Sequence, residues 1–255
     1  MKFSFGENWL KYLSVVSEDN IAAAERSLCQ MLDVANLQEK TFLDIGSGSG
    51  LFSLAARRLG ARVHSFDYDP RSVECSAELK RRYFPEDTGW QITRGSVLET
   101  GYLQSLGMFD IVYAWGVLHH TGSMWPALSN AGSLVKDRGV LFISIYNDQG
   151  WISKYWLTVK KLFNKNKFNR NIIILFHLPF LYAGPWLSRL LTGRLKIERG
   201  MSLWYDMLDW LGGYPFEVAP AGKVIDFYRA RGFTLVKVKT CGRKHGCNEF
   251  IFAKK

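Results

Sequence analysis

Thr41-Phe42-Leu43-Asp44-Ile45-Gly46-Ser47-Gly48-Ser49-Gly50 decides the fold of this chain. Thr41, Phe42, Leu43 and Ile45 have the β-branched and bulky apolar character of a buried strand, and Leu51, Leu54, Ala55, Arg58 and Leu59 recur at helical spacing directly after the glycines. Strand, glycine turn and helix open a βαβ unit. Glycine suits the turn because its backbone angles are unusual and because a ligand can then approach the main chain with no Cβ in the way. Taken alone, the Gly-x-Gly-x-Gly run fits a plain strand-to-helix loop as well as it fits a nucleotide site.

A second strand, Arg62 to Phe66, ends at Asp67 and is followed by Tyr68-Asp69-Pro70. Asp67 falls roughly 20 residues beyond Asp44, where nucleotide-binding α/β folds place an acid for ribose hydroxyls. Alternatively, Asp67 and Asp69 only cap the helix that Pro70 begins, a duty that suits Asp69. Further on stand Gly95-Ser96-Val97-Leu98 and Phe109-Asp110-Ile-Val-Tyr-Ala-Trp115-Gly-Val-Leu-His119-His120.

Together, residues 41 to 146 resemble the class I S-adenosylmethionine-dependent methyltransferases, and their core is similar to that of ubiquinone-pathway O-methyltransferases. The resemblance implies an α/β, Rossmann-like fold: a seven-stranded, mostly parallel sheet with helices on both faces and S-adenosyl-L-methionine as cofactor. It implies that Asp44 contacts the methionine end and that Gly46, Ser47, Gly48 and Gly50 lie beside it. Asp67 would hold the ribose, Ser96 and Val97 would frame the adenine, and Tyr68 belongs to the same expected cofactor set. Trp115 completes the expected cofactor set. Many members of the family carry Asp where Ser96 stands, which leaves the adenine amino contact open.

With 47% hydrophobic and 15% aromatic residues among 255, the chain can bury a full core as a single domain. Cysteines are sparse, at positions 29, 75, 241 and 247, and Glu7, Asn8 and Lys11 interrupt any leader-like run, so a reducing cytoplasm is the expected compartment. Cys241, His245 and Cys247 lack a fourth ligand at matching spacing, and no metal site is expected. The net charge of +10 favours anionic partners without choosing among them.

Residues 1–40 read as an N-terminal helical cap. Phe3, Phe5, Trp9, Leu10, Tyr12 and Leu13 make an aromatic cluster, and Ile21, Ala24, Leu28, Met31 and Leu32 form an apolar stripe. The cluster is core, or else Trp9 or Phe5 touches ligand. From 41 to 146, strands are expected near 41–45, 62–66, 90–94, 109–115 and 139–146, with helices near 50–59, 70–82 and 124–135. This alternation means a parallel sheet with ligands at its carboxyl edge.

The carboxyl end of the fourth strand carries the candidate chemistry. Methyl transfer to a hydroxyl needs an aligned nucleophile and a proton acceptor, and histidine titrates in the useful range. In an extended segment His119 and His120 would point to opposite sides. His120 is the first candidate and His119 the alternative; both may equally be read as backbone-bonding residues beside the cofactor. Ala114-Trp115-Gly116-Val117 stands where base amino-methyltransferases have Asn or Asp before Pro-Pro, and no cysteine nucleophile ends either the fourth or the fifth strand. A small-molecule acceptor methylated at oxygen is therefore expected, ahead of an RNA-modifying enzyme and a non-catalytic cofactor-binding scaffold.

Residues 147–218 interrupt the alternation as a helical insert after the fifth strand. Trp151, Tyr155, Val159 and Leu162 are expected to share one helix face, flanked by solvated Lys154, Lys160 and Lys161. The apolar run from Ile172 to Leu187 is broken by His177, Pro179 and Pro185 and is too short to span a bilayer. The insert reads as an active-site lid, as a peripheral contact with anionic membrane or as an RNA-binding surface. Trp204, Leu208 and Leu211 predict a helix that ends at a left-handed Gly212-Gly213 cap, with Tyr205 and Asp206 beside the crevice. After a helix at 220–231, strands at 233–239 and 247–253 close the sheet as an antiparallel hairpin. Substrate contacts are expected from Trp9, Tyr146, Tyr205, Asp206, Asn248 and Glu249, and oligomeric state is not legible.

Overall fold

The computed structural model describes residues 9, 13, 16–184, 203–242 and 246–255. The expected cluster at Phe3, Phe5, Leu10 and Tyr12, the run from Pro185 onward, and His245 lie outside these residues, as do the side chains of Tyr205 and Asp206.

Helix α1 (Glu18–Leu32) starts at a Ser17 capping box shared with Asn20 and buries Ile21, Ala24, Leu28 and Met31. Strand β1 (Thr41–Ile45) then enters the sheet, followed by α2 (Leu51–Arg58), β2 (Arg62–Asp67), α3 (Pro70–Tyr83) and β3 (Trp90–Arg94). The chain continues through α4 (Thr100–Leu106), β4 (Phe109–Trp115), a 3₁₀ turn at Leu118–His120, α5 (Met124–Ser133) and β5 (Val135–Tyr146). The insert contributes α6 (Trp151–Phe163), α7 (Lys167–Leu178), a π turn at Pro179–Ala183 and α8 (Leu203–Gly212); α9 (Ala221–Arg229), β6 (Phe233–Lys239) and β7 (Cys247–Lys254) complete the order.

The sheet has seven strands in the order β3-β2-β1-β4-β5-β7-β6. Strands β1 to β5 run parallel, and β7 pairs antiparallel with both β5 and β6. The order in which strands are added reverses between the parallel neighbours β1 and β4, so the carboxyl ends of these two strands face a crevice between outgoing loops. One buried cluster, including Leu28, Phe42, Leu54 and Trp90, fills one side of the sheet. A second, including Leu43, Phe66, Leu128, Tyr228 and Phe252, fills the other. Tyr228 donates to the Leu128 carbonyl at 2.9 Å, which pays the polar cost of its burial.

Local expectations change at several points. Strand β5 extends back to Val135, and α4 was not anticipated. The Asp110 carboxylate accepts from Thr41 N at 2.8 Å and from Lys136 at 3.0 Å, tying β4 to its neighbours on either side. In the insert, α6 is rotated relative to the expected face: Ser153, Trp156, Val159, Lys160 and Phe163 are buried, while Trp151 is 76% exposed.

The insert has its own core, with Trp156, Phe163, Ile173, Met207, Leu211 and Phe216 at its centre. Gly212 and Gly213 do not adopt the expected left-handed cap. Instead Lys160 and Asn164 of α6 donate to the Trp210 and Gly212 carbonyls, satisfying the end of α8 from a neighbouring helix. Both ends of the insert meet at one place. Asn147 bridges Ala219, Ala219 N donates to Tyr146 O at 3.0 Å and Asp148 N donates to Ala219 O at 3.3 Å.

Candidate active site

At the end of β1 the chain turns through Gly46 and Gly48, both with positive φ (69° and 55°). A Cβ on Gly46 would lie 2.4 Å from a Val117 methyl, so only glycine lets the β1 and β4 loops close on each other. On Gly48 it would lie 3.2 Å from the Trp9 indole nitrogen, which sets Trp9 over the loop. Gly46 N and Ser47 N both donate to Phe66 O, while the Ser47 hydroxyl meets Ser76 at 3.1 Å. Gly50 is the N-cap of α2 and packs on Ser76.

Asp67 ends β2 beside this loop. Its two oxygens accept from Gly48 N and Asp69 N, each at 2.9 Å, and burial raises its pKa to about 6. Asp69 takes the capping duty of α3, accepting from Arg71 N at 3.0 Å with Pro70 in the first turn. Asp44 is buried under the loop and accepts from Ser53 at 2.6 Å; burial outweighs that bond and lifts its pKa to about 7. The loop after β3 is joined to the same corner by Gly95 N donating to Asp67 O at 3.1 Å. There Ser96 accepts from Leu98 N at 3.2 Å, Val97 is buried with its carbonyl held by Asn130 at 2.8 Å, and exposed Tyr68 stands near Arg94.

Past Trp115, which packs with Trp9 on the same side of the sheet, the chain is a 3₁₀ turn and not an extended segment. The alternation argument for His119 and His120 therefore does not apply. Their rings lie 4.5 Å apart, and both contact Tyr146, at 4.0 Å for His119 and 5.5 Å for His120. His120 Nδ1 donates to Pro215 O at 2.6 Å, leaving the lone pair of the neutral ring on Nε2. Burial, only partly opposed by that bond, lowers its pKa to about 4. His119 is 1% exposed, and neither of its nitrogens has a hydrogen-bond partner among the described residues. Its pKa falls well below the ordinary histidine value, chiefly through burial; the Ser144 backbone opposes this only weakly, from outside hydrogen-bond geometry.

The insert closes over these rings. Tyr146 contacts Trp210 at 5.6 Å and Phe216 at 5.2 Å, and the Lys160 nitrogen lies over those two rings at 4.6 and 4.9 Å. Lys160 is fully buried, and desolvation brings its pKa down to about 7 against a small opposing pull from Asp209. Glu217 stitches the insert to the turn, its N–H donating to His119 O and its carboxylate accepting from Met124 N, both at 3.0 Å.

A family model described as a methyltransferase domain matches residues 19–234. The chain belongs to this family of methyltransferases. Among curated relatives, a ribosomal protein L11 methyltransferase from Tolumonas auensis is 42% identical over 72 residues, which is 24% of this chain and 25% of the relative. A ubiquinone biosynthesis O-methyltransferase from Xanthomonas axonopodis pv. citri is 32% identical over 106 residues, covering 41% of this chain and 42% of the relative. The methyltransferase thus spans well under half the length of the curated relatives it matches. Among solved structures, magnesium protoporphyrin IX methyltransferase from Synechocystis with bound SAH superimposes with a TM-score of 0.58 at 13% identity, over 99% of this chain and 95% of that one. At that identity the likeness shows a common fold.

The corner of Gly46, Gly48 and Asp67 suits a nucleoside-bearing group. The loop has no Cβ to obstruct approach, and a carboxylate lies beside it. Asn248 and Glu249 are otherwise engaged: Asn248 bonds Asn147 at 3.1 Å and accepts from Cys241 N, while Glu249 pairs with Lys239 at 3.3 Å. Among the described residues no group of three or more His, Cys, Asp or Glu could hold a metal ion. Lys160, Trp210, Phe216 and Glu217 were not singled out for this cluster from the sequence. The available signal was a lysine inside the Trp156, Lys160, Phe163 spacing, masked by Tyr155 and Leu162 on the competing face.

Proposed function

We propose that this methyltransferase moves a methyl group from S-adenosylmethionine to the oxygen of a small molecule, with His120, or else His119, accepting the proton. The cofactor supplies an electrophilic methyl on a sulfonium. Asp44, Gly46, Ser47, Gly48, Gly50 and Asp67 hold its methionine and ribose portions, and Tyr68, Ser96, Val97 and Trp115 enclose the remainder. The supporting observation is the contact of Val117 with Gly46, which joins the histidine turn to the glycine loop. A nucleophile bound against Tyr146 then sits between the donor loop and a neutral imidazole. Trp9 covers the loop from the other side, and α6 and α8 act as a lid that excludes water.

Incubating the chain with labelled S-adenosylmethionine and fractionated cell extract, then identifying the labelled product, tests the assignment. A product labelled at nitrogen or carbon would refute oxygen transfer, and labelled RNA or protein would refute the small-molecule acceptor.

Peripheral attachment of the insert to anionic membrane is a second reading, carried by α7. Phe168, Ile172, Leu175, Phe176 and Phe180 follow helical spacing and are all at least 50% exposed. From 149 to 197 the sequence contains no Asp or Glu, while Lys161, Lys165, Lys167 and Arg170 surround the stripe. No described helix is long and apolar enough to cross a membrane.

A further inference from the structure

Lys160 is a buried cation without a buried anion. An ammonium has three N–H donors, and here one of them goes to the Trp210 carbonyl. No second acceptor and no carboxylate reaches it among the described residues, and Asp209 acts on it only from beyond ion-pairing distance. Capping the end of α8 explains the first bond. It does not explain the burial, because a lysine that caps a helix ordinarily extends its tip to water. His119 is similarly short of partners: neither ring nitrogen makes a well-formed hydrogen bond among the described residues, and the Ser144 backbone acts on the ring only weakly. Buried polar groups are almost always hydrogen-bonded, so two unsatisfied residues in one cluster point to a group that completes them.

These residues share one aromatic body. Tyr146 lies against His119 on one side and against Trp210 and Phe216, the rings under Lys160, on the other. The turn that carries His119 begins at Val117, which packs on the donor loop. We propose that Lys160 and His119 recognise an anionic oxygen on the acceptor, which makes the acceptor an aromatic or otherwise apolar carboxylic acid or acidic phenol. This rests on the assignment of the site to methyl transfer at oxygen.

An oxyanion can take the two remaining N–H groups of Lys160 and one from His119, and charge-assisted bonds of this kind are the strong ones in a dry site. Aromatic walls fit a planar apolar body. A neutral alcohol would leave the cation without its counter-charge. An ionised oxygen, moreover, has no proton to shed, so two imidazoles held neutral by burial need not act as strong bases. Lys160 then sets affinity and selectivity more than speed.

The test compares acids with their amides on the full chain. Benzoate and phenylacetate are titrated beside benzamide and phenylacetamide by ligand-observed NMR with S-adenosylhomocysteine present. The unmodified protein should prefer each acid by about 10-fold or more, a difference in binding of about 1.4 kcal/mol. Lys160→Met, similar in length and apolar, should lose that preference while its calorimetric affinity for S-adenosylhomocysteine holds. Should that variant not fold, His119→Phe keeps a ring, removes both nitrogens and should weaken binding of each acid more than binding of its amide. Equal binding of acid and amide, no binding of either acid, or a preference that survives in Lys160→Met overturns the proposal. Failure of the unmodified protein to bind S-adenosylhomocysteine would instead overturn the methyl-transfer reading, and the same probes titrated without it then judge the anion site separately.

Discussion

At the donor end of the site the glycine loop is fixed by partners close in sequence, with Gly48 and Asp67 separated by 19 positions and Gly46 bonded to Phe66 at the adjoining strand end. At the acceptor end the partners are remote. His120 and Pro215 are 95 positions apart, Met124 and Glu217 93, and Lys160 and Trp210 50. Main-chain groups and the two acids Asp44 and Asp67 build the first end; at the second, the insert closes its own side chains over His119, His120 and Tyr146. Substitutions should therefore divide cleanly, striking donor binding at one end and acceptor handling at the other.

The largest expected effect is at the donor end. Asp67→Ala removes the acceptor of Gly48 N and the proposed ribose ligand, and calorimetry should register loss of S-adenosylmethionine binding by about 100-fold or more. Retained micromolar affinity would remove Asp67 from the site. Next, with a hydroxyl acceptor that must lose its proton, His120→Ala should lower turnover by roughly 100-fold, within the range for a lost proton acceptor, and leave donor affinity nearly unchanged; with an already ionised acid the rate should change little. A normal rate would shift the role to His119 or to an already ionised acceptor.

A smaller effect concerns stability. Burial lowers the Lys160 pKa from 10.5 to about 7, so between those values the unfolded chain holds a proton that the folded chain has lost. Stability from this group therefore rises as pH climbs from 7 to 10.5, and the cost of the buried cation is fully present below 7. Lys160→Met should melt a few °C higher relative to the unmodified protein at pH 6 than at pH 10. A pH-independent difference would mean that the amine is not buried as a cation. His120 has the same sign in the acid range, where its contribution to stability is lost as pH falls from 6.5 towards 4. The smallest effect on the site itself belongs to Phe176→Glu on the exposed face of α7. It should reduce flotation with anionic vesicles and leave donor affinity intact; unchanged flotation would end the membrane reading.

The same division governs what could be read in advance. The β1 strand, the glycine loop and the capping role of Asp69 announce themselves within a few residues, because each depends on local backbone geometry. The sheet and its closing hairpin follow from alternation of strand and helix. The face of α6 does not, since Trp151, Tyr155, Val159 and Leu162 make one apolar stripe and Trp156, Phe163 and the shared Val159 make another. Packing against α7 and α8 selects the second stripe, and with it carries Lys160 inside. The orientation of the two histidines is not legible for a related reason: the turn that brings both rings to Tyr146 is held by Glu217 and Pro215, far along the chain.

Because Asn147 and Ala219 lie side by side, the chain leaves the sheet and returns to it through a single doorway. Whatever is threaded between them has its ends already brought together, so ring-closure entropy depends only weakly on its length. That makes the segment a graftable module. Exchanging it for another of different size should re-address the enzyme to a new acceptor without rebuilding the half that grips the donor.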